Sequence, residues 1–285
     1  MESYFNKIYS ILEKIPQEEL VKKANKKMFS NGDLLFNQNG QSVEFNQYNN
    51  YNNGDSLKHI DWKQYAKRDK LYTKKFHSES NSNSILILDS SKSMNFKGSS
   101  GVEKSEYVRL LFGVLSHILL LSKSDVASLS NDDFSGFKKN VNSFPMLYEL
   151  IKEEEFNIIK KLALIKEIQE TKNSTIFIIS DFMFDTKKLL KEVRKMKKLN
   201  YDFYFIQVLT KSELEFDYKG VIRFKDMETS ETILTEPLAI KNIYIEELKK
   251  HNDNISKSIL ENNMKYKLLN TDINIEYNIL NLFEI

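Results

Sequence analysis

A chain of 285 residues can bury one large core with a segment to spare, and its 42 basic and 40 acidic side chains leave a net charge of only +2. That balance supplies no general field for nucleic acid, so no nucleic-acid partner is expected. The absence of cysteine excludes disulfides and thiolate metal sites and agrees with a reducing, cytoplasmic location.

The opening Met1-Glu-Ser-Tyr lacks the basic-then-apolar order of a signal peptide, which implies no export. Residues 4–28 carry apolar side chains at helical spacing, with Phe5, Ile8, Ile11 and Leu12 as the packing face. Asp33 to Phe45 reads as a hairpin, and Asn46 to Asn53 as a loop too polar to join a core. Four aliphatic residues, Ile85 to Leu88, suit a strand buried on both faces. Lys104 to Ser122 reads as a helix. Its apolar run Leu110 to Leu121 is broken by Gly113, Ser116 and His117 and falls short of the ~20 residues that span a bilayer, so no membrane insertion is expected.

Asp125–Leu129 and Phe134–Lys138 read as short strands, Met146–Ile151 and Phe156–Glu170 as helices, and Thr175–Ser180 as a second apolar strand. A helix over Thr186–Leu199 and a strand over Asp202–Val208 follow. Glu215–Leu234 reads as short strands with charged turns, Ala239–Asn262 as a helix, Tyr266–Leu269 as a last strand and Ile279–Phe283 as an apolar terminal turn. The alternation predicts an α/β fold with a doubly wound, mostly parallel sheet. The expected division is 1–80 for an N-terminal helix and a β-rich segment, 81–235 for the α/β domain, and 236–285 for a helical extension.

Two strand ends carry chemistry. Asp89-Ser-Ser91-Lys-Ser93 places a carboxylate and two hydroxyls at i, i+2 and i+4, the hard oxygen ligands that magnesium or manganese prefers; a solvated Asp/Ser turn has equal weight on these residues alone. Ser180-Asp181 closes the second strand, either as further ligands or as a cap for the helix beginning near Asp185. If the two strands are neighbours where the winding reverses, both Asp loops face one site.

Together the two loops resemble the metal-ion-dependent adhesion site of von Willebrand factor type A domains, in which a metal recruits a partner's carboxylate. The segment Tyr51-Asn-Asn-Gly54-Asp55-Ser-Leu-Lys58-His59-Ile60-Asp61-Trp62-Lys-Gln-Tyr65-Ala66-Lys67, with Leu71-Tyr72-Thr-Lys74, is similar to the signature of the bacterial domain of unknown function 58. Gly220 to Thr229, with Asp226, Glu228 and Thr229, extends a likeness that spans roughly residues 30–235.

The resemblance implies a type A-like core and a Mg2+ or Mn2+ ion on Asp89, Ser91, Ser93 and, through water, Asp181. It also implies a MoxR-type AAA+ ATPase as partner, with other type A domain proteins as further ones. The implied role is a non-enzymatic interaction module acting as adaptor or cofactor, the alternative being a metal-dependent hydrolase on the same oxygens. Trp62, Lys58 and Lys67 are candidate partner contacts, although Trp62 and Tyr72 are expected to be buried against the core.

The chain departs from the family pattern in several places. Asn49, Lys58 and Lys67 stand where Arg is common, and Lys cannot make the planar two-pronged contact of a guanidinium. The Thr ligand of type A domains has no obvious counterpart. Thr171 and Thr175 precede their strand at its wrong end, which leaves Ser130 or Ser143.

The lysine-rich run Lys187 to Lys198, interleaved with Leu189, Leu190, Val193 and Met196, reads as a solvated helix face, and the four histidines show no metal spacing. Asp55 and Asp61 are expected to cap turns rather than to form a catalytic pair.

Overall fold

The computed structural model describes residues 2–25, 43–51, 60–68, 70–78, 82–99, 101–130, 133–148, 151, 157–227 and 231–284. Two compact units emerge, residues 1–29 with 82–285, and residues 30–81. This differs from the three consecutive segments expected, because both ends of the chain enter the larger unit.

The N-terminal stretch forms two helices, α1 (Glu2–Lys14) and α2 (Gln17–Lys23). The expected single helix breaks at Pro16, which has no backbone N–H to continue the ladder. Gln17 instead donates its side-chain amide to the carbonyl of Leu12 at 2.8 Å. Ile8, Ile11 and Leu12 are buried in the core, and Phe5 packs against it.

In the smaller unit, β1 (Val43–Asn50) pairs antiparallel with β2 (Tyr72–Ser78), and α3 (Trp62–Arg68) lies between them in sequence. The Asn-rich run through Asn50, expected as a loop, is therefore a strand. A ladder is made by backbone groups, so polar side chains do not forbid it. A bulge between Phe45 and Gln47 shifts the register. The expected hairpin from Asp33 falls almost wholly outside the described residues.

The larger unit is built on a five-stranded sheet of β3 (Asn83–Leu88), β4 (Asp125–Ser128), β5 (Thr175–Ser180), β6 (Asp202–Leu209) and β9 (Lys265–Asn270). The order is β4-β3-β5-β6-β9 and every pair is parallel. Helices α4 (Lys104–Leu121), α5 (Ile158–Glu167), α6 (Thr186–Lys197) and α8 (Pro237–Leu260) supply the crossovers, with the short α7 (Lys211–Glu215) after β6. Leu86, Leu88, Phe177, Ile179, Tyr204 and Ile206 face α1, α2, α4 and the terminal helix α9 (Ile275–Phe283). Their neighbours Ile85, Ile87, Ile176, Ile178, Phe203 and Phe205 face α5, α6 and α8. Both faces are thus covered, the arrangement of a doubly wound sheet.

Three expectations changed in detail. Phe134 and Lys138 make isolated antiparallel bridges to Leu129 and Val126 rather than a strand. The expected helix over Met146–Ile151 is a 3₁₀ turn over Val141–Tyr148 containing Pro145. The terminal turn is a helix, α9, capped by the Asn274 side chain, which accepts from the Glu276 N–H at 2.9 Å. Residues 236–285 are no appendage, since β9 completes the sheet and α9 closes one face of the core. A hairpin of β7 (Ile222–Lys225) and β8 (Thr232–Thr235) precedes α8. Among the described residues no helix is long and apolar enough to cross a membrane.

Candidate metal centre

The winding direction reverses between β3 and β5. From β3 the chain passes to β4 on one side, then crosses back to β5 on the other. In an open parallel sheet such a reversal leaves a crevice at the carboxyl ends of the two strands. Asp89 follows β3 directly and Asp181 follows β5 directly, and the Asp89 N–H donates to the Ile179 carbonyl at 2.9 Å. Two adjacent strand ends thus deliver both Asp residues to one crevice.

Asp89 is 2% exposed. Its Oδ1 accepts the Ser91 N–H at 2.8 Å, and its Oδ2 accepts the Ser180 hydroxyl at 2.5 Å. The hydroxyls of Ser91 and Ser93 lie 3.0 Å apart, Ser91 just before and Ser93 within a short 3₁₀ turn over Lys92–Asn95. The Ser180 hydroxyl also accepts from the Phe182 N–H at 2.9 Å, so one side chain braces both loops. Phe182 is fully buried with φ +54°, a left-handed conformation that costs a bulky residue roughly 1–3 kcal/mol and persists only where the surroundings enforce it. His251 on α8 contributes, its Nε2 lying 2.9 Å from the Phe182 carbonyl.

Asp185, not Ser180 or Asp181, caps α6, its side chain accepting from the Lys187 N–H at 3.0 Å. Asp181 is committed elsewhere. Its Oδ1 accepts the Met183 N–H at 3.1 Å, and its Oδ2 accepts from the Lys104 ammonium at 2.9 Å. The same ammonium donates to Glu213 Oε1 at 2.7 Å. Lys104 is wholly buried at the start of α4, which begins where the Asp89 loop ends. Burial alone would lower its pKa, but the charges of Asp181 and Glu213 outweigh that and hold the ammonium above its usual value. Glu213 is fixed in turn by a capping box at the end of β6, its Oε2 accepting from the N–H and hydroxyl of Thr210 at 2.7 and 2.9 Å.

Burial, then the nearby charge of Asp181, push the Asp89 carboxyl up to about 6 against hydrogen bonds from Ser180 and Ser91. A carboxyl raised in the folded state favours folding fully only below its unfolded value of 3.8, and the contribution fades as pH rises through about 6. Chelator-treated protein should therefore gain about 1.4 kcal/mol from this group between pH 7.5 and pH 5. Urea titrations of the parent and Asp89→Asn at both values check this. The parent should move and the variant should lack that component.

No three His, Asp or Glu side chains among the described residues meet to ligate one ion. The donor set here is mixed, two carboxylates and two hydroxyls, and all four are hard oxygens. Three carboxylates and one ammonium leave two uncompensated negative charges when all are ionised. These residues fit a single hard divalent cation.

The sequence could not place a third hydroxyl ligand. Thr171 lies before β5 and donates to the carbonyls of Ile165 and Ile168 at 2.6 and 2.7 Å, a structural role. Ser130 lies just beyond the carboxyl end of β4, where its hydroxyl accepts from the Asp133 N–H at 3.0 Å. The N–H of Ser143 donates to the Asn140 carbonyl at 2.8 Å. Lys104 and Glu213 were not anticipated. Thr210-x-x-Glu213 after an apolar strand was a readable sign of a capped turn at this edge.

The candidate partner residues fare unevenly. Lys58 lies outside the described residues, as does Asp55, and Lys67 is on α3 with its side chain undescribed. Asp61 caps α3, its Oδ1 accepting the N–H groups of Lys63 and Gln64 at 2.9 and 3.1 Å. Trp62 is 62% exposed and packs edge-on to Tyr65 at 6.2 Å, which overturns its expected burial. Tyr72 is half-buried. At the first position of a two-turn helix, the indole leans on its neighbour one turn along and stays outside. Trp62→Ala should accordingly cost less than about 1 kcal/mol in urea denaturation, not the 3 to 5 kcal/mol of a core truncation.

Several solved structures are similar to the chain. They include the conserved hypothetical protein BatB from Bacteroides thetaiotaomicron, at 13% identity and a TM-score of 0.44, covering 71% of this chain and 96% of that one. An aerotolerance-related membrane protein from Bacteroides fragilis NCTC 9343, bearing multiple mutations to serine, matches at 14% identity and a TM-score of 0.43 over 71% and 97%. The SpRpn10 VWA domain matches at 13% and 0.38 over 70% and 94%. No curated protein matches the sequence. Residues 47–254, well over half of the chain, match the family model described as Protein of unknown function DUF58, and the chain belongs to that family.

Proposed function

We propose that this protein is a non-enzymatic, metal-dependent interaction module of the cytoplasm, docking an acidic group of a partner at the crevice between β3 and β5. The observation that carries the reading is the meeting of Asp89 and Asp181 at the winding reversal, with two negative charges uncompensated. Asp89, Ser91 and Ser93 would hold a Mg2+ or Mn2+ ion directly, and Asp181 through water. When bound, the ion supplies an open coordination position for a carboxylate from another protein. The serine hydroxyls orient the loop, while Ser180 and the buried sheet exclude water from the Asp89 side.

The partner proposed from the family resemblance is a MoxR-type AAA+ ATPase, for which the chain would act as adaptor, with other type A domain proteins as further partners. The engaged state of the nearby acids supports docking over hydrolysis. Asp181 is held by Lys104 and Met183, and Glu213 by Lys104 and Thr210, so neither stands ready as a general base.

Calorimetry with Mn2+ and Mg2+ tests the site. The parent should show one weak binding event that Asp89→Ala abolishes; equal heats from both would sink the assignment. Affinity capture from the source cell, with and without chelator, tests the partner. An AAA+ ATPase should co-purify and be released on chelation. Metal-dependent hydrolysis lost in Asp89→Ala would establish an enzyme instead.

A further inference from the structure

We propose that Lys104 is a tethered cation sharing Asp181 with the divalent ion, which keeps that carboxylate out of direct coordination and holds metal affinity low until a partner's carboxylate arrives. This rests on the metal reading above and adds to it the residue that sets the strength of the site.

An ammonium is out of place where this one sits. It is wholly buried, and it springs from the first turn of α4, where the helix dipole disfavours positive charge. It tolerates both because two carboxylates enclose it, Asp181 at 2.9 Å and Glu213 at 2.7 Å. It has little freedom to swing aside. Glu213 is locked by Thr210, and Gly98 of the loop before α4 sits so close to Thr210 that a Cβ there would press on its side chain. Ser99 ties the same loop to α7, its N–H donating to the Ser212 hydroxyl at 2.9 Å.

Asp181 is equally fixed. Its carbonyl accepts from Gln207 Nε2 at 2.8 Å, and the backbone turns sharply at Phe182. The two aspartates therefore differ in kind. Among the described residues the donors to Asp89 are neutral, from Ser91 and Ser180, so its charge remains available to a cation. Asp181 has its Oδ2 on an ammonium, which already offsets its charge and repels a second cation brought against that oxygen. An ion at Asp89, Ser91 and Ser93 is then short of anionic ligands, and a partner's carboxylate supplies the missing one.

The test is Mn2+ binding by the full-length chain, followed by electron paramagnetic resonance and calorimetry. The pair Lys104→Met with Glu213→Gln removes one cation and one anion, so the net charge around the site is unchanged while Asp181 is released. Gln at the third helical position preserves the capping box. Mn2+ should bind this variant about tenfold tighter or better, the size of effect expected when a residue behind a metal ligand is altered.

Adding Asp181→Asn should then weaken Mn2+ binding sharply in the paired variant and only slightly in the parent, a coupling that a purely structural lysine would not produce. Lys104→Gln combined with Glu213→Gln, which keeps a neutral donor beside Asp181 and the same net charge, provides the same comparison should the Met pair fold poorly. Affinities that are equal, or weaker in the variants, and still lost with Asp89→Ala overturn the role of Lys104 and leave the metal site standing. Mn2+ that no variant binds in an Asp89-dependent way overturns both.

Discussion

Lys104→Met alone should lose about 3–5 kcal/mol of stability in urea denaturation, the largest effect expected of any single substitution at this edge of the sheet. The loss comes less from the attraction removed than from what remains. Asp181 is left buried and charged without its cation, and Glu213, mostly covered, is left in the same state. Restoring balance with Glu213→Gln should recover part of the loss, and Mn2+ should stabilise the single variant more than the parent by binding its folded form. A loss below about 1 kcal/mol would mean that water reaches the pair and that the site is far more open than the fully buried lysine indicates.

Gly113→Ala should destabilise by about 2–4 kcal/mol, although helix propensity alone predicts a gain near 1 kcal/mol. Gly113 lies in the buried middle of α4, and a Cβ there would collide with the Tyr148 hydroxyl and the end of the Ile8 side chain. The hydroxyl fills the notch in order to donate to the Arg109 carbonyl at 2.6 Å. Displacing it would leave the largely covered phenol without its hydrogen bond as well as crowd the contact between α1 and α4. Thermal melts of Gly113→Ala beside Gly101→Ala separate steric from conformational causes. Gly101, at φ +75° with open space around it, should show strain alone.

The central strands were legible because burial on both faces imposes a continuous apolar run, and Ile85–Leu88 and Thr175–Ser180 have no other plausible place. β1 was not legible, since an Asn-rich strand held by its backbone leaves no periodic trace. Trp62 misled because large aromatics are usually buried, and a seven-residue helix has too little surface to oblige every one of them.

At the site, Asp89, Ser91, Ser93 and Asp181 could be read from two strand ends, and the sheet order supplied what the sequence lacked, that those strands are neighbours. The lysine could not be read. It stands 77 and 109 residues from its two carboxylates, and nothing local distinguishes it from a solvated helix-start lysine.

The core draws together parts of the chain that are made at opposite times. Ile8, Leu12, Ile15 and Leu20 share one cluster with Ile279, Leu282 and Phe283, and the Lys23 ammonium reaches the Glu284 carbonyl at 2.7 Å. During synthesis the first helices leave the ribosome with an apolar stripe whose closing element, α9, emerges some 260 residues later. The edge strand that pairs with β6 is equally late. Contacts so distant in sequence slow folding and leave greasy surface exposed meanwhile. The stripe on the first two helices therefore stays uncovered until α9 has been made, and this face of the core closes late in the synthesis of the chain.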